Sequence, residues 1–199
     1  MPDAKSRAKK IKLLLFDVDG VLTDGKMFFV PAASGPKKGR ADELDLTSQG
    51  SIEIKGFHAH DGVAISLARV AGIKTGLITK RASETVAVRA RDLKLDHIYQ
   101  GIQDKLGAFR EILAKEKLTA AEACFVGDDV IDLPVMWNCG FAVAVANARD
   151  DVKKDAHYVT KHAGGDGALR EAVEFVLKSQ GRLKKVVEKY VGAGNKENQ

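Results

Sequence analysis

Cysteine, proline and tryptophan are scarce here: 199 residues contain two, four and one of them. Cys124 and Cys139 are too few for a disulfide framework. Neither has a Cys or His at ligand spacing, so both read as small buried hydrophobes of a cytoplasmic protein. Few prolines beside 45% hydrophobic residues exclude a largely disordered chain. No segment approaches the ~18 apolar residues that span a bilayer. The basic N-terminus followed by Leu13, Leu14, Leu15 and Phe16 imitates a signal peptide, but the apolar run stops at Asp17 with no small-residue cleavage site after it. The expectation is a cytoplasmic protein with no membrane partner. The excess of one charge sign is also small, +5 overall, and unevenly placed: residues 1–12 and 178–199 each carry +4, leaving 13–177 at −3. Basic ends on a mildly acidic body read as solvated tails, at 1–10 and 182–199, rather than as a nucleic-acid surface. The C-terminal stretch starts as a basic helix through Tyr190 and ends in a disordered, flexible tail.

What is present is an alternation of short apolar runs and helical patterns. Strands are expected at Lys12–Phe16, Lys74–Thr79, His97–Tyr99, Cys124–Gly127, Phe141–Val145 and His157–Val159. Helices are expected at Val63–Ala71, Ser83–Leu93, Leu106–Lys115, Leu133–Asn138 and Ala168–Ser179. That order predicts an α/β fold with a doubly wound parallel sheet over about 11–181, whose ligands bind beyond the carboxyl ends of the strands. Residues 26–60 interrupt it. Lys26–Val30 and Ser51–His58 read as a β-hairpin flap, joined by a long polar connection expected to be mobile.

Carboxylates gather at two predicted strand ends. Asp17 and Asp19 follow the first strand in Phe16-Asp17-Val18-Asp19-Gly20, and Asp128, Asp129 and Asp132 follow another in Val126-Gly127-Asp128-Asp129-Val130-Ile131-Asp132. An aspartate after a strand is commonly a helix cap, the simplest reading for Asp24 and Asp129 alone. Capping leaves the rest of the set repelling one another, whereas a hard divalent cation neutralises them, and oxygen-only ligation points to Mg²⁺. Thr79 closes a strand, where its hydroxyl is placed either to cap a helix or to donate to a phosphoryl oxygen. Lys105 stands at a helix start, where a cation is mildly unfavourable unless an anion meets it.

Asp17-Val18-Asp19-Gly20-Val21-Leu22-Thr23-Asp24-Gly25, then Thr79, Lys105 and Gly127 to Asp132, resembles in order and spacing the four motifs of haloacid dehalogenase-type phosphatases. Tyr99-Gln100-Gly101, Asp132 to Met136 and Gly164 to Glu171 look like the 3-deoxy-D-manno-octulosonate 8-phosphate phosphatase branch. The resemblance implies that Asp17 is the nucleophile, Asp19 the general acid and base, and Thr79 and Lys105 the partners of the phosphoryl oxygens. It implies Mg²⁺ held by Asp17, the Asp19 carbonyl and Asp128, with Asp132 orienting that shell. The 26-residue step from Thr79 to Lys105 leaves no room for a cap domain. The branch instead closes its site by assembling a homotetramer through the hairpins.

Two motifs depart from the pattern. Thr79-Lys80-Arg81 replaces Thr-Gly-Arg, making Lys80 and Arg81 candidate ligands of the phosphate or of a substrate carboxylate. Phe57-His58-Ala59-His60-Asp61-Gly62 stands where the branch has Arg before Asp-Gly, so His60 is either structural or a contact to a sugar hydroxyl or carboxylate. The implied substrate is a phosphorylated keto-deoxy sugar acid, the octulosonate 8-phosphate first, and a nine-carbon acid 9-phosphate or another small phosphate ester second. A non-catalytic oligomerisation module is the reading from another class, and the intact Asp17, Asp19, Lys105 and Asp128 oppose it.

Overall fold

The strand β1 (Leu13–Phe16) is buried at every position, as are β6 (Ala123–Gly127) and β7 (Phe141–Ala144). Continuous apolar runs of this kind belong to parallel strands covered on both faces. The computed structural model describes residues 3–31 and 51–194, and places these strands at the centre of a six-stranded, all-parallel sheet. Its order is β5 (His97–Tyr99), β4 (Lys74–Ile78), β1, β6, β7, β8 (Tyr158–Val159). The chain winds outward from β1 to β5 and then returns to β6 on the other side of β1. The crevice between β1 and β6 is therefore the switch point at which ligands bind in sheets of this type.

Helices α2 (Ala59–Val70), α3 (Glu84–Asp92) and α7 (Ala168–Ser179) cover one face; α4 (Lys105–Glu116), α5 (Leu133–Met136) and α6 (Asp150–Asp155) cover the other. The short α6 escapes a periodicity reading because Val152 is its only buried residue.

The hairpin is shorter than expected. β2 (Phe28–Pro31) pairs antiparallel with β3 (Ser51–Ile54), Phe29 opposite Glu53. It stands apart from the main sheet and exposes Met27, Phe28, Phe29, Val30, Ile52 and Ile54, with Ile52 59% exposed. The connection 32–50, expected to be mobile, lies outside the described residues.

Both basic ends carry more structure than tails. Within 1–10, α1 (Ala4–Ala8) is capped by Asp3 and buries Ala8 against the core. Beyond 181, α8 (Leu183–Gly194) runs four residues past Tyr190 and buries Val186. The two ends also meet. Gln180 Nε2 donates to the carbonyl of Ile11 at 2.8 Å, and Lys9, Lys10, Lys12 and Arg182 line one cleft at the amino-terminal edge of the sheet. The last five residues of the expected flexible tail lie outside the described ones.

Candidate active site

The parallel register sets Phe16 beside Val126, so the chain leaves β1 and β6 side by side. Asp17 follows β1, and its N–H donates to the Val126 carbonyl at 3.0 Å. Asp128 follows β6. Between them the turn Val18–Leu22 passes through Gly20 at φ +86°, where a side chain is strained. A Cβ at Gly20 would also fall 2.1 Å from Asp128 Oδ2. This glycine is what lets the two acidic clusters approach.

Lys105, the first residue of α4, is buried and reaches both clusters. Its Nζ lies 2.8 Å from Asp17 Oδ2 and 2.8 Å from Asp132 Oδ1. Burial disfavours the ammonium, but Asp132 and Asp17 outweigh that and hold its pKa above the usual value. Fully buried Asp132 uses its other oxygen to accept the N–H groups of Asp128 at 3.0 Å and Asp129 at 3.3 Å. With both oxygens engaged, Asp132 shapes the Asp128 turn. Asp129 accepts from the N–H of Val130 at 2.7 Å and is exposed, an ordinary cap; Asp24 likewise accepts from the N–H of Lys26 at 3.0 Å.

Asp17 and Asp128 are short of positive charge. Burial, then the Asp132 carboxylate, pushes Asp17 up to about 6. Burial, then Asp132 and Asp17, pushes Asp128 up to about 7. Asp128 Oδ1 is buried with no hydrogen-bond partner among the described residues, and oxygens of Asp17, Asp128 and Asp132 lie within 4.8 Å of one another. An unpartnered carboxylate oxygen among all-oxygen donors fits a hard divalent cation.

Asp19, at the same turn, is half-exposed and faces the hairpin. Its Oδ1 pairs with Lys55 Nζ and its Oδ2 lies 3.5 Å from Arg81 Nε. Glu53 joins the group through Arg81 at 3.2 Å, Lys55 at 3.4 Å and a hydrogen bond from the Ser83 hydroxyl. Thr79 is buried just beyond β4, its N–H donating to the Tyr99 carbonyl at 2.9 Å. Of the predicted substrate contacts, Arg81 is at the site. Lys80 is exposed and makes no ion pair among the described residues. His60 is exposed and lines a cleft of about 430 Å³ with Tyr158, Lys161, His162 and Arg170, a lining that includes none of Asp17, Asp19, Thr79 and Lys105.

Several site residues escape the sequence reading. Just past β3, Lys55 continues the alternation of a solvated strand lysine, yet its side chain is 1% exposed. Asp61 is buried at the start of α2 and accepts the N–H groups of Gly167 at 3.2 Å and Arg170 at 2.9 Å, capping α7. Burial raises its pKa against those bonds. The loop before α7 in turn packs backbone to backbone on the turn Val18–Leu22: the Gly165 N–H donates to the Val21 carbonyl at 3.0 Å. Asn147 bridges the two, accepting from the Gly164 N–H at 2.6 Å and donating to the Gly20 carbonyl at 3.3 Å. Only the glycine pair at 164–165 signalled this contact in sequence.

Residues 70–171 match the haloacid dehalogenase-like hydrolase family. Over 91% of its length the chain is 38% identical to the 3-deoxy-D-manno-octulosonate 8-phosphate phosphatase KdsC of Escherichia coli, covering 87% of that protein. The chain belongs to the haloacid dehalogenase-like hydrolases. Among solved hydrolases of this kind, the 3-deoxy-D-manno-octulosonate 8-phosphate phosphatase of Yersinia pestis superposes with a TM-score of 0.80 at 36% identity, over 92% of this chain and 89% of that one. The corresponding phosphatase of Moraxella catarrhalis, solved with a magnesium ion, a phosphate ion and a KDO molecule, superposes with a TM-score of 0.81 at 31% identity, over 94% and 97%.

Proposed function

We propose that the protein is a Mg²⁺-dependent phosphatase of 3-deoxy-D-manno-octulosonate 8-phosphate, working through an aspartyl-phosphate on Asp17. The observation that carries this reading is the meeting of Asp17 and the unpartnered Asp128 oxygen at the switch point, with one buried ammonium beside them. The named relatives supply the substrate class.

The residues divide the work. Asp17, held by the Val18 N–H at 2.7 Å, is aimed into the crevice and attacks phosphorus. Asp19 gives a proton to the departing sugar oxygen and later takes one from the attacking water. Lys105 holds Asp17 in place, and with the Thr79 hydroxyl it meets charge on the non-bridging phosphoryl oxygens. Asp17, Asp128 and the Asp19 carbonyl would hold Mg²⁺, with Asp132 orienting the Asp128 turn. When bound, the ion offsets the repulsion between nucleophile and phosphate. Arg81, and Lys80 from the surface, are the groups proposed to meet the substrate carboxylate. His60 is proposed as a substrate contact only for a ligand long enough to reach its cleft.

The exposed apolar hairpin supports a homo-oligomer, and we assign a homotetramer that covers the open site. Residues 11–181 act as one hydrolase domain with the hairpin as an insert. Among the described residues no helix is long and apolar enough to cross a membrane. Two free, buried cysteines and a small soluble substrate support a cytoplasmic enzyme.

Phosphate release from a panel of sugar phosphates, with and without Mg²⁺, tests the reading. The octulosonate 8-phosphate is expected to give the highest kcat/KM, with no release after Mg²⁺ removal. A nine-carbon acid 9-phosphate that outpaces it overturns the substrate. No release from any ester overturns the enzyme.

A further inference from the structure

Lys55 has no role in the reaction as described, and its environment is unusual for a hairpin lysine. Its side chain is buried and its ammonium meets two carboxylates, Asp19 Oδ1 and Glu53 Oε1, the second at 3.4 Å. Glu53 is itself anchored to the body: its side chain accepts from Arg81 and Ser83, and its backbone carbonyl accepts from the Thr85 hydroxyl at 3.1 Å. Next along the chain, the Phe57 ring lies under Arg89, 5.8 Å from its guanidinium carbon. Residues 53–57 are thus clamped between the turn Val18–Leu22 and α3, from its cap Ser83 to Arg89 in its last turn. A buried ion pair contributes little net stability relative to an apolar pair of the same shape, so burial of Lys55 against a reacting carboxylate needs another explanation.

We propose that Lys55 is a positioning residue for Asp19, so that the group which transfers the proton is aimed by the hairpin rather than by the sheet that carries it. This rests on the phosphatase reading above. In the first half-reaction an Asp17 oxygen bonds to phosphorus, and the bond from phosphorus to the sugar oxygen breaks with its electron pair going to that oxygen. The Asp19 proton follows it, leaving a carboxylate. In the second, water bonds to phosphorus, the Asp17 oxygen departs with its pair, and Asp19 takes the water proton. With Oδ1 held by Lys55, Oδ2, which lies 3.5 Å from Arg81 Nε, is the oxygen left for these transfers, and the charge left on Asp19 develops beside a fixed ammonium.

The leaving group provides the test. A sugar alkoxide needs the Asp19 proton, whereas p-nitrophenolate leaves without one. Single-turnover release of the alcohol, with enzyme in excess and Mg²⁺ present, is to be compared for sugar phosphates and p-nitrophenyl phosphate. Lys55→Met is expected to slow sugar release roughly 100-fold and p-nitrophenolate release less than about threefold. Lys55→Arg is expected to recover most of the sugar rate. Glu53→Gln, the milder variant should the Met protein melt early, is expected to lose sugar release in the same selective way, by less. Equal losses on both esters, or none on either, overturn the proposal. A wild type that ignores the octulosonate but turns over another sugar phosphate overturns the substrate reading, while the alkyl-to-aryl ratio still decides Lys55. A wild type that releases neither class of alcohol overturns both.

Discussion

The parallel sheet and the hairpin treat the same kinds of residue in opposite ways. In the sheet, Leu13 to Phe16 are wholly covered, and Asp17, which follows them, is packed against Lys105. In the hairpin, Phe28, Phe29, Ile52 and Ile54 are 42–59% exposed, while the buried side chain beside them is a lysine. An isolated two-stranded hairpin is marginal by itself. The sheet satisfies its own apolar surface and the hairpin does not, and the hairpin is fastened to the body through charged groups at Asp19 and Arg81. The body therefore holds the proposed nucleophile and metal-site carboxylates, and the hairpin depends on contacts made elsewhere.

Substitutions that separate the two regions test this contrast. Asp17→Asn should cut phosphate release by at least about 10⁴-fold while leaving assembly unchanged, read by phosphate assay and light scattering. Lys105→Met leaves buried carboxylates without their cation. It should lower kcat about 10²–10³-fold and stability by about 3–5 kcal/mol in denaturant titration.

Mg²⁺ comes next in size. Folding raises the Asp17 and Asp128 pKa values to about 6 and about 7 from 3.8, so between those limits the folded state binds protons that the unfolded chain has lost. Metal-free protein should therefore lose stability as pH rises from about 4 through about 7. Mg²⁺ should raise the melting temperature clearly at pH 8 and little at pH 5, read by differential scanning fluorimetry with EDTA as the control. An equal shift at both pH values would remove the buried carboxylates as its cause. The smallest expected change in body stability comes from the double variant Phe28→Ser, Ile54→Ser, within about 0.5 kcal/mol. Its sedimentation should nonetheless show a smaller assembly, and an unaltered one would break the contrast.

Much of the body was legible because each buried strand is a short apolar run ended by a glycine or a polar residue. His97–Tyr99 and Ala168–Ser179 match the expected bounds to the residue. Asp17, Asp19 and Asp128 stood out because acids crowded at strand ends call for a cation, and Lys105 because a cation at a helix start calls for an anion. Lys55 did not, since a lysine in an alternating strand is ordinarily solvated and only the turn at Asp19 turns it inward. Asp61 was hidden by its place in the first turn of a helix, where an acid is favourable in any case. The N-terminal end misled because its charge concealed the small anchors Ala4 and Ala8, whereas the C-terminal helix expected through Tyr190 is there and sets Leu183, Val186 and Val187 on the core.

The order of the strands bears on how the protein is made. β1 lies at the centre of the sheet, but its neighbours begin at Lys74 and Ala123. As the chain leaves the ribosome, Leu13 to Phe16 stay bare of their second partner until more than a hundred further residues have been added. Asp17 meets Asp128 only after that, and the glycines at 164–165 close on the turn later still. The phosphatase chemistry thus cannot begin on a partly synthesised chain, and a truncation anywhere before β6 yields a fragment whose stickiest strand has nothing to pair with on one side.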